Sequence, residues 1–221
     1  MASYFNLTLD TLAPSGLAVS LNDDAIYTTS TSVTLKTSVT DGDIVGYQMK
    51  IWGVSGAATE EDASWETYAP EKAVTLTDGD GLKTVSVKVR DDVGNETAAA
   101  SDSITLNTVV PVVSVTGPDK ARISKIPGFG SAVISFTADV MFIAYKVCVV
   151  PAANSLESAG AAIPSDGGSE NISGSKAEGY PADTPISVTI NGADLEAASG
   201  GDGVKIVKVF VQNEAGTWSV A

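Results

Sequence analysis

Acidic side chains at the predicted turns are the residues whose types and positions most directly suggest chemistry. Asp41, Asp43, Asp91 and Asp92 carry carboxylate oxygens, which are ligands that Ca²⁺ prefers in proteins. The two pairs would approach each other if the strands that end at them pair in one sheet. Asp-Gly turns also arise for backbone reasons alone, because Asp hydrogen-bonds to its own main chain. We therefore predict no bound metal or other cofactor, and keep these four residues as the candidate calcium ligands.

The chain lacks the residues on which most enzymes rely for catalysis. The chain has no histidine, which excludes Ser-His-Asp and Cys-His systems and the common zinc sites. The single cysteine, Cys148, lies in an apolar strand pattern and is expected to be a buried small side chain. The acidic run Glu60-Glu61-Asp62 lies in a polar loop without the apolar surroundings that tune catalytic carboxylates. We predict that the protein is not an enzyme and has no catalytic residues.

Aromatic and apolar side chains near chain ends and loops are the candidates for contacts with partners. Trp65 and Tyr68 form a patch that either binds the face of a sugar or packs over an open end of the core. Trp218 follows the last predicted strand, where it would cover the core or meet a neighbouring molecule. An apolar alternation also begins at the N-terminus. The predicted interaction residues are Tyr4, Phe5, Leu7, Leu9, Trp65, Tyr68 and Trp218.

An internal repeat indicates the elements that must position these residues. Residues 78–95 (DGDGLKTVSVKVRDDVGN) return as residues 200–217 (GGDGVKIVKVFVQNEAGT), 122 positions later (202 − 80). Each copy contains a Gly/Asp turn, a strand with alternating valines and a second turn with glycine. Short strands separated by turns about every eight to twelve residues are typical of a β-sandwich. We predict an all-β protein with two tandem sandwiches.

The predicted domain boundaries leave a strand over at one end and a strand missing at the other. Residues 12–108 form the first domain, residues 109–221 the second, and residues 1–11 a separate N-terminal strand. The N-terminal strand resembles the segment that closes the first domain, since LTLDTLAP (7–14) matches ITLNTVVP (104–111) at a spacing of 97 (111 − 14). Only TWSVA follows the second copy of the repeat, so the second domain lacks most of its last strand. We hypothesise that residues 4–11 of one subunit, or a strand of another protein, pair with the resulting edge; the alternatives are that they pair within the first domain or not at all.

The second domain also contains about 25 additional residues (122 − 97) within residues 151–185. Their Ala, Gly, Ser and Pro content predicts a long loop with a short helical turn near residues 155–162. Loops of this length are usually either functional or disordered, so a contact role is one of two interpretations of this segment. In the preceding strand, we align Tyr145 with Tyr47.

Charge and hydropathy exclude several classes of partner. The formal net charge is −14, from 13 basic and 27 acidic residues, which argues against binding to nucleic acid because phosphates require a basic surface. No apolar run is long enough to span a membrane. The first residues lack the basic segment and apolar core of a secretory signal, and we expect assembly in the cytoplasm.

Four segments of the first domain resemble the Ig-like repeats of bacterial and bacteriophage proteins. They are LDTLAP, TSVTL, SWETYAP and KTVSVKVRDDVGN, and the repeats typically begin with D-T-x-A-P and end with V-x-V-R-D-x-A-G-N. The resemblance implies Ig-like β-sandwiches used for display, adhesion or assembly, with the Asp and Asn of the final motif fixing a tight turn. The second domain departs at Gln212-Asn213 and Thr217, which replace Arg90-Asp91 and Asn95.

The resemblance and the absence of a secretory signal together predict a bacteriophage virion structural protein. We expect an accessory or decoration protein on the capsid or tail surface, attached through a β-edge or the 151–185 loop. One alternative is a component of the tail or baseplate assembly. Another is a receptor- or glycan-binding adhesion module that uses Trp65 and Tyr68. The expected partners are other virion proteins, further copies of the chain and a host-surface glycan, with no nucleic acid and no membrane insertion.

Overall fold

The protein is an all-β chain with two separate cores, which confirms the predicted fold class. A computed structural model describes residues 5–40, 44–151 and 158–220 of the 221. The chain divides into two compact units, Met1–Thr108 and Val109–Ala221. In each unit, two sheets pack face to face over one cluster of buried apolar side chains.

The first unit places its repeat strand in the middle of a sheet. One sheet has the order β1-β3-β6 and the other the order β2-β8-β7-β4-β5. The pairing is antiparallel except between β2 and β8, which run parallel. The strands described in this unit are β1 (Ala18–Leu21), β2 (Tyr27–Thr28), β3 (Ser32–Ser38), β4 (Gln48–Trp52), β5 (Glu66–Thr67), β6 (Glu71–Thr75), β7 (Gly81–Arg90) and β8 (Ala100–Leu106).

The core of the first unit follows from strict alternation along its strands. Val85, Val87 and Val89 of β7 are fully buried, and Ile104 and Leu106 of β8 lie on the same face. Alternating residues of a strand point to opposite faces of a sheet, so one apolar face meets the other sheet. The strand β8 is therefore an integral part of this core.

The second unit repeats the framework with additions on one side of its central strand. One sheet has the order β14-β10-β9, and in the other β11 pairs with β12 and β13 on one edge and with β15 on the opposite edge. The described elements are β9 (Val113–Thr116), β10 (Ser131–Ala138), β11 (Phe142–Pro151), β12 (Ala161–Ala162), β13 (Ser173–Tyr180), β14 (Ile186–Asn191), α1 (Gly192–Ser199) and β15 (Lys205–Gln212).

The strand registers correct the predicted alignment of Tyr145 with Tyr47. Met49 lies opposite Val89 in the first unit, and Tyr145 lies opposite Val211 in the second. Because Val89 and Val211 are equivalent in the repeat, Tyr145 occupies the place of Met49. The alignment by residue type was wrong by two positions, which preserves the inward face and therefore cannot be detected from alternation.

The insertion is not the plain loop that its composition predicts. Residues 161–162 and 173–180 form β12 and β13 at the edge of β11. A strand covers part of the predicted helical turn, and residues 152–157 lie outside the described residues. The helix lies instead at Gly192–Ser199, where the Asn191 side chain accepts a hydrogen bond from Ala193 N and caps the first turn.

Candidate functional site

The turn that ends β7 is fixed by one aspartate, as the Ig-like resemblance implies. Asp91 Oδ1 accepts hydrogen bonds from the main-chain N–H groups of Val93 (3.0 Å) and Asn95 (2.8 Å). Its Oδ2 accepts one from Asn95 Nδ2 at 2.8 Å. Burial raises the pKa of Asp91, but these hydrogen bonds outweigh it and hold the pKa below the ordinary value. Both carboxylate oxygens therefore serve the turn.

The second copy builds the same turn without a charge. Asn213 Oδ1 accepts from Thr217 N at 2.9 Å, as Asp91 does from Asn95. The next hydrogen bonds are also equivalent. Ser219 N donates to Val211 O, and Ser219 Oγ accepts from Val211 N. In the first copy, Thr97 N donates to Val89 O and Thr97 Oγ1 accepts from Val89 N. The hydrogen bonds of this turn are thus kept in both copies although Gln212 and Asn213 replace Arg90 and Asp91.

The calcium prediction stays without structural support. Asp91 is engaged in the turn, and Asp41 and Asp43 lie outside the described residues. Within the described parts of the chain, no group of three or more His, Cys, Asp or Glu side chains is placed to hold a metal ion.

In the first unit, β8 covers the outer edge of β7 from Gly81 to Val87. The two strands pair from Gly81 opposite Leu106 to Val87 opposite Ala100. On the outer face, two pairs of hydroxyl groups face each other at 2.8 Å, Thr84 with Ser103 and Ser86 with Ser101. Every position of this stretch therefore has a cross-strand neighbour.

An Asp–Thr clasp closes the far end of this pairing. Thr108 donates to the Asp80 carboxylate through its backbone N (3.0 Å) and its Oγ1 (2.9 Å). Sequence reasoning missed this contact because its residues lie 28 positions apart. The recurrence of Asp80 as Asp202 and of Thr108 as Thr11 was the available signal.

In the second unit, no strand of the described residues covers the equivalent edge. The strand β15 pairs with β11 over its full length, and Ser219 and Trp218 contact only its end at Val211 and Gln212. No other strand of the described residues pairs with the outer edge of β15 from Lys205 to Val209, which we call the open edge. Val207 is only partly buried there, whereas the equivalent Val85 is fully buried. The predicted incomplete last strand is confirmed within these residues.

The first described residues of the first unit, residues 5–13, are exposed. Residues 5–17 form no strand, so the N-terminal strand predicted for residues 1–11 is not formed where it is described. Phe5, Leu7 and Leu9 are 86%, 87% and 86% exposed. One 3.5 Å hydrogen bond joins Asn95 Nδ2 to Asp10 O. Tyr4 lies outside the described residues.

The aromatic candidates do not form one open platform. The Arg90 guanidinium lies 4.4 Å from the ring centroid of Trp65 and covers one face of it. Tyr68 packs against the core, and its hydroxyl donates to Thr37 O at 3.2 Å. Trp218 is partly buried, and Lys146 Nζ lies 4.5 Å from the centroid of its ring. Their roles in binding stay predictions.

Asp194 joins the insertion to the helix α1. Its carboxylate accepts from Gly167 N (2.6 Å) and Ser169 N (2.7 Å) and is 1% exposed. Burial raises the pKa of Asp194, but hydrogen bonds from Ser169 and Gly167 outweigh this and keep the pKa below its ordinary value. The insertion is therefore held in place at this point. Cys148 is also buried, and this burial raises the pKa of its thiol.

Comparisons with known proteins find similar solved structures at low identity. No family model and no curated protein matches the chain. Among solved structures, the fibronectin(III)-like modules of Clostridium thermocellum CbhA match at 12% identity and a TM-score of 0.45, over 92% of this chain and 90% of that one. The D00-D0 domain of intimin matches at 14% and 0.30, over 87% and 91%. A structure of carbohydrate-binding modules from the β-sandwich superfamily matches at 12% and 0.34, over 95% and 99%.

These values carry no inference about function. At such identities a likeness bears on the fold alone, and sandwiches host many unrelated activities. No helix among the described residues has the length and apolar character needed to cross a membrane.

Proposed function

We propose that the protein is a non-enzymatic structural protein that attaches to its assembly by accepting a β-strand at the open edge. The proposal rests on the difference between two equivalent edges. The strand β8 pairs with β7, whereas no described strand pairs with the outer edge of β15 from Lys205 to Val209. A strand edge presents main-chain donors and acceptors that a further strand can pair with. Alternate side chains of the added strand then supply specificity.

Ig-like repeats of this kind occur in exported bacterial surface proteins and in bacteriophage particles, and we propose the bacteriophage particle as the setting. In that setting the protein is an accessory or decoration protein on the capsid or tail surface, or a component of the tail or baseplate. The acidic surface, with its net charge of −14, favours solubility of the unattached chain. Strand addition serves either location equally, because it needs only one exposed strand on the partner.

Binding of a strand peptide tests the proposal. A labelled peptide of residues 100–108 (ASDSITLNT) has the sequence that covers the equivalent edge in the first unit. We expect it to bind the dilute protein in fluorescence anisotropy. The control peptide carries Ile104→Asp and Leu106→Asp, which place charges on the apolar face and should abolish binding.

An edge-filled variant identifies the binding position. Ala221 is equivalent to Ala99 in the repeat (221 − 122), so a copy of residues 100–108 joined directly after Ala221 continues in the register of β8. This variant should not bind the peptide. If both proteins bind it equally, or if neither the unaltered protein nor a form without residues 1–11 binds it, the open edge is not an acceptor and the proposed function is wrong.

A further inference from the structure

We propose that the open edge of one copy is filled by residues 5–11 of a second copy. This inference rests on the proposed function and names the partner strand. It assigns donor and acceptor to different parts of the same chain, with the donor at the start of the first unit and the acceptor on the second unit.

The donor segment has the sequence of the strand that covers the equivalent edge. Residues 6–14 (NLTLDTLAP) align without gaps with residues 103–111 (SITLNTVVP) and are identical at four of the nine positions. Leu7 replaces Ile104 and Asp10 replaces Asn107, which preserves size and shape. The segment therefore keeps apolar side chains at the positions of Ile104 and Leu106, and differs from β8 at Phe5, which takes the place of Asp102.

The register of the first unit predicts each new neighbour. Leu106 lies opposite Gly81, Ile104 opposite Lys83 and Asp102 opposite Val85. Subtracting 97 from each β8 residue gives the donor residue, and adding 122 to each β7 residue gives the acceptor residue. In this register Leu9 lies opposite Gly203, Leu7 opposite Lys205 and Phe5 opposite Val207. The three apolar side chains then face the core of the second unit, beside the partly buried Val207.

The donor and the acceptor each carry one residue of the Asp–Thr clasp. Asp202 is exposed and equivalent to Asp80, and Thr11 is exposed and equivalent to Thr108. In the predicted register, Thr11 donates to the Asp202 carboxylate through its backbone N and its hydroxyl. Hydrogen bonds to a carboxylate are among the stronger ones in proteins.

Exposure provides the driving force. An alternating segment with its apolar side chains in water gains free energy when that face is covered, and Phe5, Leu7 and Leu9 are each at least 86% exposed. Because donor and acceptor are different surfaces, the contact is head-to-tail, and successive copies form a ring or an open filament.

Two single-function variants test the pairing. The donor-only variant has its open edge filled by a copy of residues 100–108 after Ala221, and it keeps residues 1–11. The acceptor-only variant lacks residues 1–11. In sedimentation velocity, each variant alone should be monomeric, and an equimolar mixture should give a 1:1 dimer. The unaltered protein should form larger oligomers as its concentration rises over an approximately hundred-fold range.

Point variants of the donor distinguish a strand from a nonspecific apolar contact. Leu7→Asp, on the inward face, should weaken heterodimer formation by at least about a hundred-fold, whereas Thr8→Asp, on the outward face, should change it by less than about ten-fold. The acceptor change Asp202→Ala should weaken it by about ten-fold through loss of the clasp. Equal effects of Leu7→Asp and Thr8→Asp would overturn the proposed orientation.

Cross-linking tests the register. Thr8 should lie opposite Val204, as Thr105 lies opposite Leu82, and paired Cα atoms at about 4.5–5.5 Å permit a disulfide. A donor with Thr8→Cys should therefore cross-link to an acceptor with Val204→Cys faster than to one with Ile206→Cys. The reverse preference would overturn the register.

The two proposals fail in different ways. One outcome is that the peptide of residues 100–108 binds the acceptor-only variant while the donor-only variant fails to bind that same acceptor. In that case the open edge accepts strands and the second-copy inference is wrong. If the unaltered protein stays monomeric and its own residues 5–11 block the peptide, the segment pairs within its own chain, which also overturns the second-copy inference. If the peptide binds no variant, both proposals are wrong.

Discussion

Removal of the Asp194 carboxylate should release the insertion while the two cores stay folded. This side chain is 1% exposed and accepts two main-chain hydrogen bonds, from Gly167 N at 2.6 Å and Ser169 N at 2.7 Å. Asp194→Ala leaves both donors without their acceptor. The variant therefore tests whether one carboxylate fixes the position of a segment that composition alone predicts to be a loop.

The magnitude follows from the environments of the two donors. Ser169 is buried, and an unsatisfied buried N–H destabilises by about 1–3 kcal/mol. Gly167 is exposed, so water replaces its bond and the loss is about 1 kcal/mol. We expect a local loss of about 2–4 kcal/mol, which corresponds to about thirty-fold to several hundred-fold faster opening-limited amide exchange.

Amide hydrogen exchange measures this loss at the affected residues. The N–H groups of Gly167 and Ser169 should exchange faster in Asp194→Ala, whereas those of Val87 and Val147, in the two cores, should not change. The matched control is Glu196→Gln on the same helix, because Glu196 forms an exposed ion pair with Lys125 at 2.7 Å. That control should leave exchange at Gly167 and Ser169 unaltered. Equal exchange in Asp194→Ala and the unaltered protein would refute the reasoning.

The same carboxylate predicts a pH dependence of defined sign. The pKa of Asp194 is lowered in the folded protein, so its stabilisation is complete above the unfolded-state pKa of about 3.9 and is lost as the pH falls through the folded value. Protection at Ser169 should therefore persist from neutral pH to about pH 4 and decrease below it. In Asp194→Asn this acid-dependent step should be absent; its persistence would assign the step to another group.

Three further predictions concern the packing of individual residues. Gly53→Ala should lower the melting temperature far more than Gly56→Ala, because both have positive φ but a Cβ would meet a backbone oxygen at 2.0 Å at Gly53 and nothing within 4 Å at Gly56; equal melting temperatures would contradict this. Cys148 is 4% exposed and its pKa is raised by burial, so a thiol reagent should label it only after unfolding, and rapid labelling of the native protein would disprove the burial. Arg90→Gln should increase acrylamide quenching of tryptophan fluorescence by uncovering one face of Trp65, and unchanged quenching would argue against the stacked arrangement.

The architecture was predictable from the sequence because it depends on local and repeated signals. Alternating valines predict the buried face of β7 and β15, and the repeated Asp/Asn and glycine positions predict the turns. The open edge of β15, which no described strand covers, was predicted by comparing the residues that follow each copy. Such comparisons need no knowledge of contacts between distant residues.

The parts that were missed depend on contacts over long sequence separations. The strands β12 and β13 form because the edge of β11 offers them a partner, although their sequences, rich in Ala, Gly and Ser, have weak β-propensity. The helix α1 had a local signal that was overlooked, since Asn191 precedes its first turn and Gly200 follows its last. The two-residue error at Tyr145 was invisible because a shift by two preserves alternation.

The two units differ in how much they need a closing strand, and this difference explains why an open edge is tolerated in one of them. In the first unit, Ile104 and Leu106 of β8 are fully buried core residues, so loss of β8 would open the core to water. The second unit has an aromatic cluster instead, in which the rings of Phe142 and Tyr180 stack at 5.0 Å and those of Phe136 and Tyr145 approach to 5.1 Å. Each such pair contributes about 0.5–1.5 kcal/mol beyond the area it buries.

That cluster lies on the side of β11 away from the open edge, because Tyr180 belongs to β13, which pairs with the opposite edge of β11. The insertion therefore supplies core contacts, through Tyr180, on the side of β11 opposite the open edge. In the first unit, by contrast, loss of β8 would remove two buried core side chains, Ile104 and Leu106. The second unit thus has an aromatic core cluster that does not involve the open edge, which is the arrangement expected of a unit that accepts a strand there.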